Sequence, residues 1–408
     1  MKFSQKLCFI FLLLFFCTVS VVPCLAEPSD VRIPVQASAT AQVHMCIDDN
    51  LIATYVGGSS PPAIMVYSPD MALYRRVPLA NDTMDIESLE ITEGRVYYTG
   101  YDTSELWTSR TKTVYEYDLA TGEKRILYST GFYNNIEPRV TDIAADGDHV
   151  ILRENCGGDD LVLHTLSTGT NERIFRSGDM IQGLAIDGDR IVWGCDRTDG
   201  ESGREIHVYT ISTGEDTVIP ESRSDKTFGT ADISGDTVVW MKALHAPSWN
   251  NGSYIPMKGS EIILTDLASG MTTSLETMEG YSKPFISGET VVYVNEPEVD
   301  YDNPNTGTIR VYDIGTATFS DIASEVAGIT DFEGGLVLWH RYSPRVEWLT
   351  AISGTIPTTI AAKNTPGVTD ISDSVVQNHS PQKNPIGLVV LVSVLIAGIV
   401  GFAILKKR

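Results

Sequence analysis

The chain has 408 residues, 42% of them hydrophobic and 20% charged, with a formal net charge of −23. That apolar content separates it from the disordered class, and its length allows one large domain or two ordinary ones. The acidic balance argues against nucleic-acid binding, which requires phosphate neutralisation, and against docking on anionic lipid.

Residues 1–26 read as a secretory signal peptide. Lys2 and Lys6 precede an apolar run from Leu7 to Phe16, and Cys24-Leu25-Ala26 supplies the small residues of a cleavage site. Pro23 occupies the position where lipidation of Cys24 would need a small residue. Val31 to Val35 is next, a candidate fourth strand for the last repeat unit of the chain, which would bring the two ends side by side.

A short pattern then recurs seven times. Its clearest copies are Ile186–Trp193 (IDGDRIVW), Ile233–Trp240 (ISGDTVVW) and Ile286–Tyr293 (ISGETVVY); weaker ones start at Ile47, Ile91, Ala145 and Phe332. Turn glycines at 94, 147, 188, 235, 288 and 334 are spaced by 53, 41, 47, 53 and 46 residues. This spacing is near that of a four-stranded propeller blade. In each unit a Gly-Asp type turn joins strands one and two, and a second turn joins strands three and four. The second turn reads DLATG from Asp118, TLSTG from Thr165, TISTG from Thr210 and DLASG from Asp266. Runs of Val, Ile and Tyr bounded by Gly, Asp and Ser predict short strands. The expected class is all-β: a seven-bladed β-propeller of four-stranded antiparallel blades over residues 31–361, plus a signal peptide and a C-terminal transmembrane helix. An eighth, degenerate copy at Ile371–Asn378 has lost its glycine and falls in a linker or stalk over 362–385.

The units IDGDRIVWGCDRTDGESGREIHVYTISTGE and ISGDTVVWMK…EIILTDLASG resemble the β-propeller repeat of cell-surface proteins of methanogenic archaea and, more distantly, TolB-type propellers. The resemblance spans about residues 42–361. It implies an extracellular, often anchored protein with a binding or structural role, and it brings no catalytic residues with it.

Four of the loops between strands two and three are long: Tyr101–Thr111, Asp196–Arg204, Ala243–Ser260 and Asn295–Thr306. In a propeller these loops share one face, and the expected binding surface lies there. Trp107, Trp249, Tyr254 and Tyr301 are its candidate ligand-stacking residues; packing between neighbouring loops is the other reading of the same aromatics. Asp300 and Asp302 form one acidic cluster and Asp196 and Asp199 another. Calcium held by these loops and simple solvation of the carboxylates both remain open, with Pro304 interrupting the alternation of a familiar calcium loop. No other cofactor is expected. Asn81, Asn251 and Asn378 open Asn-x-Ser/Thr sequons, the acceptors of N-glycosylation.

Cys46, Cys156 and Cys195 remain after signal removal. Cys156 and Cys195 follow the same strand in neighbouring units, so a disulfide and two small apolar thiols are both open. No nucleophile elbow, zinc-protease helix or phosphate loop occurs, and the histidines are scattered singly. Finally, Ile386–Leu405 is an unbroken apolar or small-residue stretch of 20, long enough to span a bilayer core. Lys406, Lys407 and Arg408 follow it, which places the C-terminus in the cytoplasm and the propeller outside. Between these ends, 25 Lys and Arg face 53 Asp and Glu, a formal charge near −28. Ser393, Ala397 and Gly401 recur every fourth residue, a pattern that permits weak helix self-association.

The expectation is a membrane-anchored extracellular propeller that binds or scaffolds at the cell surface, with envelope glycan or a surface protein as ligand. The alternative is an extracellular propeller enzyme acting on polysaccharide, a lyase or glycosidase.

Overall fold

A computed structural model describes residues 29–32, 43–48, 51–57, 61–70, 72–79, 84–102, 113–130, 139–155, 158–178, 180–198, 201, 203–224, 227–245, 248–250, 253–255, 258–280, 282–295, 306–341 and 348–353. The chain divides into two units, Met1–Ile360 and Ala361–Arg408. The second lies wholly outside the described residues.

Strand β1 (Ser29–Arg32) is followed by β2 (Val43–Asp48), β3 (Leu51–Val56), β4 (Ala63–Tyr67) and β5 (Leu73–Pro78), which form the first antiparallel sheet. The second sheet is β6 (Met84–Thr92), β7 (Arg95–Asp102), β8 (Thr113–Asp118) and β9 (Lys124–Ser129). The third is β10 (Arg139–Asp146), β11 (His149–Asn155), β12 (Asp159–Thr165) and β13 (Thr170–Arg176). The fourth is β14 (Gln182–Asp187), β15 (Arg190–Asp196), β16 (Arg204–Thr210) and β17 (Glu215–Val218). The fifth comprises β18 (Thr227–Ser234), β19 (Thr237–His245), β22 (Lys258–Asp266) and β23 (Met271–Met278), and an extra hairpin, β20 (Ser248–Asn250) with β21 (Ser253–Ile255), grows from its long loop. The sixth is β24 (Phe285–Ser287), β25 (Thr290–Asn295), β26 (Gly307–Asp313) and β27 (Thr318–Val326). The remaining strands are β28 (Gly328–Glu333), β29 (Leu336–Arg341) and β30 (Trp348–Ser353), and β1 completes their sheet in the order β1-β30-β29-β28.

The architecture is therefore an all-β propeller of four-stranded antiparallel blades, with two corrections to the expected class. Six blades, not seven, are built from consecutive strands. The last four-stranded sheet is a composite, with β1 paired antiparallel to β30 from Ser29↔Ser353 to Arg32↔Thr350. Among the described residues the C-terminal stretch contributes three strands to this sheet, and the N-terminal strand supplies its fourth. That strand starts at Ser29 rather than Val31. Secondly, no helix among the described residues is long and apolar enough to cross a membrane. The expected signal peptide and transmembrane segment lie outside the described residues.

The turns explain why the motif recurs. Gly235 has φ +56°, a left-handed conformation that a β-branched residue adopts only under strain. The aspartate after the glycine ties this turn to the second turn of the same blade. Asp148 Oδ1 accepts from the Ser167 N–H (2.7 Å), and Asp189 Oδ1 accepts from the Ser212 N–H (2.8 Å). The residue before the turn instead reaches the next blade. Asp48 Oδ2 accepts from the Glu93 N–H (2.6 Å), Asp146 Oδ2 from Gly188 (2.5 Å) and Asp187 Oδ2 from Gly235 (2.6 Å). Ser234 Oγ takes the same role toward the Gly288 N–H (3.0 Å) and Ser287 Oγ toward Gly334 (3.3 Å).

The hydrophobic core is divided among the gaps between neighbouring sheets. Between blades three and four it holds Leu161, Leu163, Leu184, Ile191, Trp193 and Cys195; between four and five, Val192, Ile206, Ile233, Val238 and Trp240. Trp193, Trp240 and Trp339, each on a second strand, are almost wholly buried. Each such ring removes a large apolar area from water, about 2–3 kcal/mol apiece. The fourth strands are mostly exposed, as β13 illustrates, which places them at the rim. First strands pack against first strands of the neighbouring sheets, and β28 packs against β2, so they ring the central axis. Where blades four and five meet, Gly194 lies against Gly229 so closely that a Cβ would collide with the Gly229 backbone.

Candidate functional site

Most of the residues singled out in the sequence lie outside the described residues: Trp107, Tyr301, Asp199, Asp300, Asp302, Asn81, Asn251, Asn378 and Cys156. Trp249 and Tyr254 are directly opposite one another in the register of the β20–β21 hairpin. The structure thus brings two of the four candidate aromatics together on one loop. Asp196, at the end of β15, is held by Arg204 Nε (3.3 Å), whose Nη1 also donates to Gln182 Oε1 (2.7 Å). Cys46 and Cys195 are buried free thiols.

Two clusters stand out instead. The first surrounds the axis. Glu90, Asp142, Asp232, Asp331 and Glu333 extend from the first strands of four sheets and are half-buried. Burial, followed by the charges of Asp331, Asp48 and Asp142, pushes the Glu90 carboxyl well above its usual range. Burial also raises Asp142 and Asp331, and it takes Asp232 up to about 6. Glu333 is pushed up to about 8 by burial, with Asp331 and Asp48 adding repulsion. Lys283 opposes this field, its charge favouring ionisation of Glu90, Asp142, Asp232 and Asp331. Two of these acids also join blades: the Ile286 N–H donates to Asp232 Oδ2 (2.8 Å), and the Ile47 N–H donates to Asp331 Oδ2 (2.7 Å). The axis is acidic and electrostatically loaded, and part of that charge holds the ring together.

The second cluster sits in the gap between blades three and four, at the end of β15 and the start of β16. The register places Cys195 opposite Glu205 and Trp193 opposite His207. Cys195, Glu205 and His207 are all buried, and one ligand-type atom from each lies within 4.8 Å of the others. Glu205 Oε1 accepts from the Thr198 N–H (2.9 Å) and the Thr198 hydroxyl (2.8 Å) and lies 3.2 Å from His207 Nε2; its Oε2 accepts from Arg223 Nε (3.0 Å). Burial alone would raise the Glu205 carboxyl, but the two Thr198 hydrogen bonds and the contact with His207 together outweigh it and hold the group below its ordinary range. His207 Nδ1 is 2.9 Å from Asp216 Oδ1. The imidazole stacks on the Trp193 indole, with centroids 5.1 Å apart and planes at 9°, and Phe175 of blade three closes over it at 4.9 Å. Burial and the Glu205 charge push the Cys195 thiol up to about 12, so it is protonated at neutral pH.

Sequence reading missed this cluster because it treated Cys195 and His207 one at a time. The signal was available in the hairpin: Cys195 and Glu205, and Trp193 and His207, are placed symmetrically about the loop between β15 and β16.

No protein-family model matches the chain, and no curated protein matches it. Solved structures do. An oligogalacturonate lyase in complex with manganese superposes with a TM-score of 0.53 at 12% identity, covering 81% of this chain and 99% of that one. The β-propeller domain of the Trilobed protease from Pyrococcus furiosus gives 0.53 at 12% identity over 77% and 96%. The tricorn protease gives 0.51 at 15% identity, with 78% of this chain covered and 33% of that one. At these identities the likeness is one of fold, and that fold hosts unrelated activities.

Proposed function

We propose that the protein is a binding or scaffolding propeller of the cell surface, anchored by its C-terminal apolar segment, and that its ligand is a neutral or cationic glycan or protein segment. The acidic axis carries this reading. Carboxylates from four sheets gather there against Lys283, in a chain whose formal charge is −23. Such a field repels polyanions and attracts amines and cations. A polyuronate of the kind named for the oligogalacturonate lyase would meet repulsion rather than a basic cleft, which counts against the enzyme reading on acidic polysaccharide.

The long loops supply the contact surface in this proposal. Trp107, Trp249, Tyr254 and Tyr301 would stack on sugar faces or apolar side chains, and the sequons at Asn81, Asn251 and Asn378 would carry surface glycans. Each contact is modest, so an array of anchored copies would gain through multivalency. The resemblance to methanogen surface propellers rests on the repeat motif.

Binding of the full chain in detergent micelles to panels of neutral, amine-bearing and uronic-acid glycans, and to basic and acidic proteins, tests this. Amine-bearing or neutral ligands should bind, the former with strong salt dependence. The Trp107→Ala/Trp249→Ala double variant should bind more weakly without losing its thermal transition. Tight binding of polyuronate, or its cleavage to unsaturated ends absorbing in the ultraviolet, would replace this reading with the enzyme.

A further inference from the structure

We propose that Cys195, Glu205 and His207 form a three-ligand site for a divalent transition metal of the zinc type, set in the gap between the third and fourth blades. The donor set is the first argument. Thiolate, imidazole and carboxylate together suit a borderline-soft ion, whereas calcium and magnesium take oxygen alone. This separates the site from the all-carboxylate clusters singled out in the sequence.

Geometry is the second argument. Zinc bonds of about 2.0–2.3 Å place ligand atoms roughly 3.3–3.8 Å apart around one ion. The three donor atoms already lie within 4.8 Å of one another, and His207 Nε2 and Glu205 Oε1 are 3.2 Å apart. Side-chain shifts on the order of 1 Å complete the arrangement. Support around the ligands is the third. Asp216 holds Nδ1 of His207, which leaves Nε2 directed at the cluster, the pairing that metal-bound histidines commonly show. Arg223 occupies Oε2 of Glu205 and Thr198 orients Oε1, so the carboxylate offers one oxygen. Trp193 and Phe175 wall the imidazole on two sides.

Binding forms metal–sulfur, metal–nitrogen and metal–oxygen bonds, the imidazole using the Nε2 lone pair, and releases the Cys195 thiol proton to solvent; no electron moves. A water or a further group takes the fourth position. The bound ion would clamp the β15–β16 loop to the blade and stiffen the loop face.

The test uses the full chain in detergent, stripped with chelator and titrated with Co²⁺ and Zn²⁺. The expected result is one saturable equivalent with a thiolate-to-cobalt charge-transfer band. Cys195→Ser should abolish that band, His207→Ala should weaken binding by about 100-fold or more, and Asp216→Asn by about 10–100-fold. Asp321→Asn, in blade six and outside the ligand set, should bind as wild type does. Zinc-edge X-ray absorption on the wild-type protein needs no variant to fold and should show one sulfur neighbour at about 2.3 Å. The proposal is overturned by any one of three outcomes: no stoichiometric binding by wild type, an oxygen- and nitrogen-only zinc shell, or an unchanged cobalt band in Cys195→Ser.

Discussion

Replacing Glu333 by glutamine removes the acid that the axis perturbs most measurably. Its carboxyl moves from an ordinary 4.5 to about 8 because protein surrounds it and because Asp331 and Asp48 repel its charge. The folded state therefore holds this proton over a range in which the unfolded chain has already lost it. Between about pH 4.5 and 8 the native state binds more protons, so stability is greatest at the acidic end and falls as pH rises through the window. At about 1.4 kcal/mol per pH unit the ceiling is about 5 kcal/mol. Solvent reaching a half-buried carboxyl lowers this to roughly 1–3 kcal/mol. For a domain of this size that corresponds to a Tm change of roughly 3–8 °C. Thermal unfolding followed by circular dichroism at pH 5, 7 and 9 should show the wild-type Tm falling with pH. Glu333→Gln should flatten that fall and unfold at a higher temperature than wild type at pH 9. The comparison is made between slopes, because the large net charge also destabilises the wild type at high pH. Parallel curves for the two proteins would refute the assignment of repulsion to the axis.

Two further predictions concern the ring itself. Asp187→Ala removes the acceptor of the Gly235 N–H and should cost about 1 kcal/mol, read as a lower urea midpoint at unchanged slope; no shift would show that the link between blades four and five contributes nothing. Gly194→Ala should destabilise more than Gly235→Ala. The first puts a methyl into the Gly229 backbone, whereas at Gly235 the Cβ meets open space and only the φ of +56° is strained, worth about 1 kcal/mol. Equal Tm values would mean that the two blades separate readily at Gly194.

The repeat was legible in the sequence because its determinants are local. In the clearest copies a glycine at positive φ, an aspartate or serine before it, an acidic residue after it and a four-residue apolar strand recur in order, and each acts within a few residues or on the next copy of itself. In blade five the motif copy Ile233–Trp240 spans the end of β18 and the start of β19, which continues to His245. The hairpin Ser248–Ile255 was not foreseen. Its polar and aromatic residues carry no strong alternation, and that Trp249 and Tyr254 are register partners emerges only from the fold.

What tertiary structure alone decided are the relations between distant segments. A closing strand at Val31–Val35 was expected for the last blade, but its bounds, Ser29–Arg32, and its antiparallel register with Trp348–Ser353 are set by the fold. The acids of the axis are ordinary surface residues in sequence, and they interact because first strands from different blades converge around one line. Cys195, Glu205, His207 and Asp216 are close in the chain, yet their convergence needs three features at once: the β15–β16 register, the pairing of β17 with β16, and the Phe175 face of the neighbouring blade. Local periodicity specifies which strands form and where they turn. Packing between blades decides which side chains share a desolvated space, and in this protein that is where the distinctive chemistry lies.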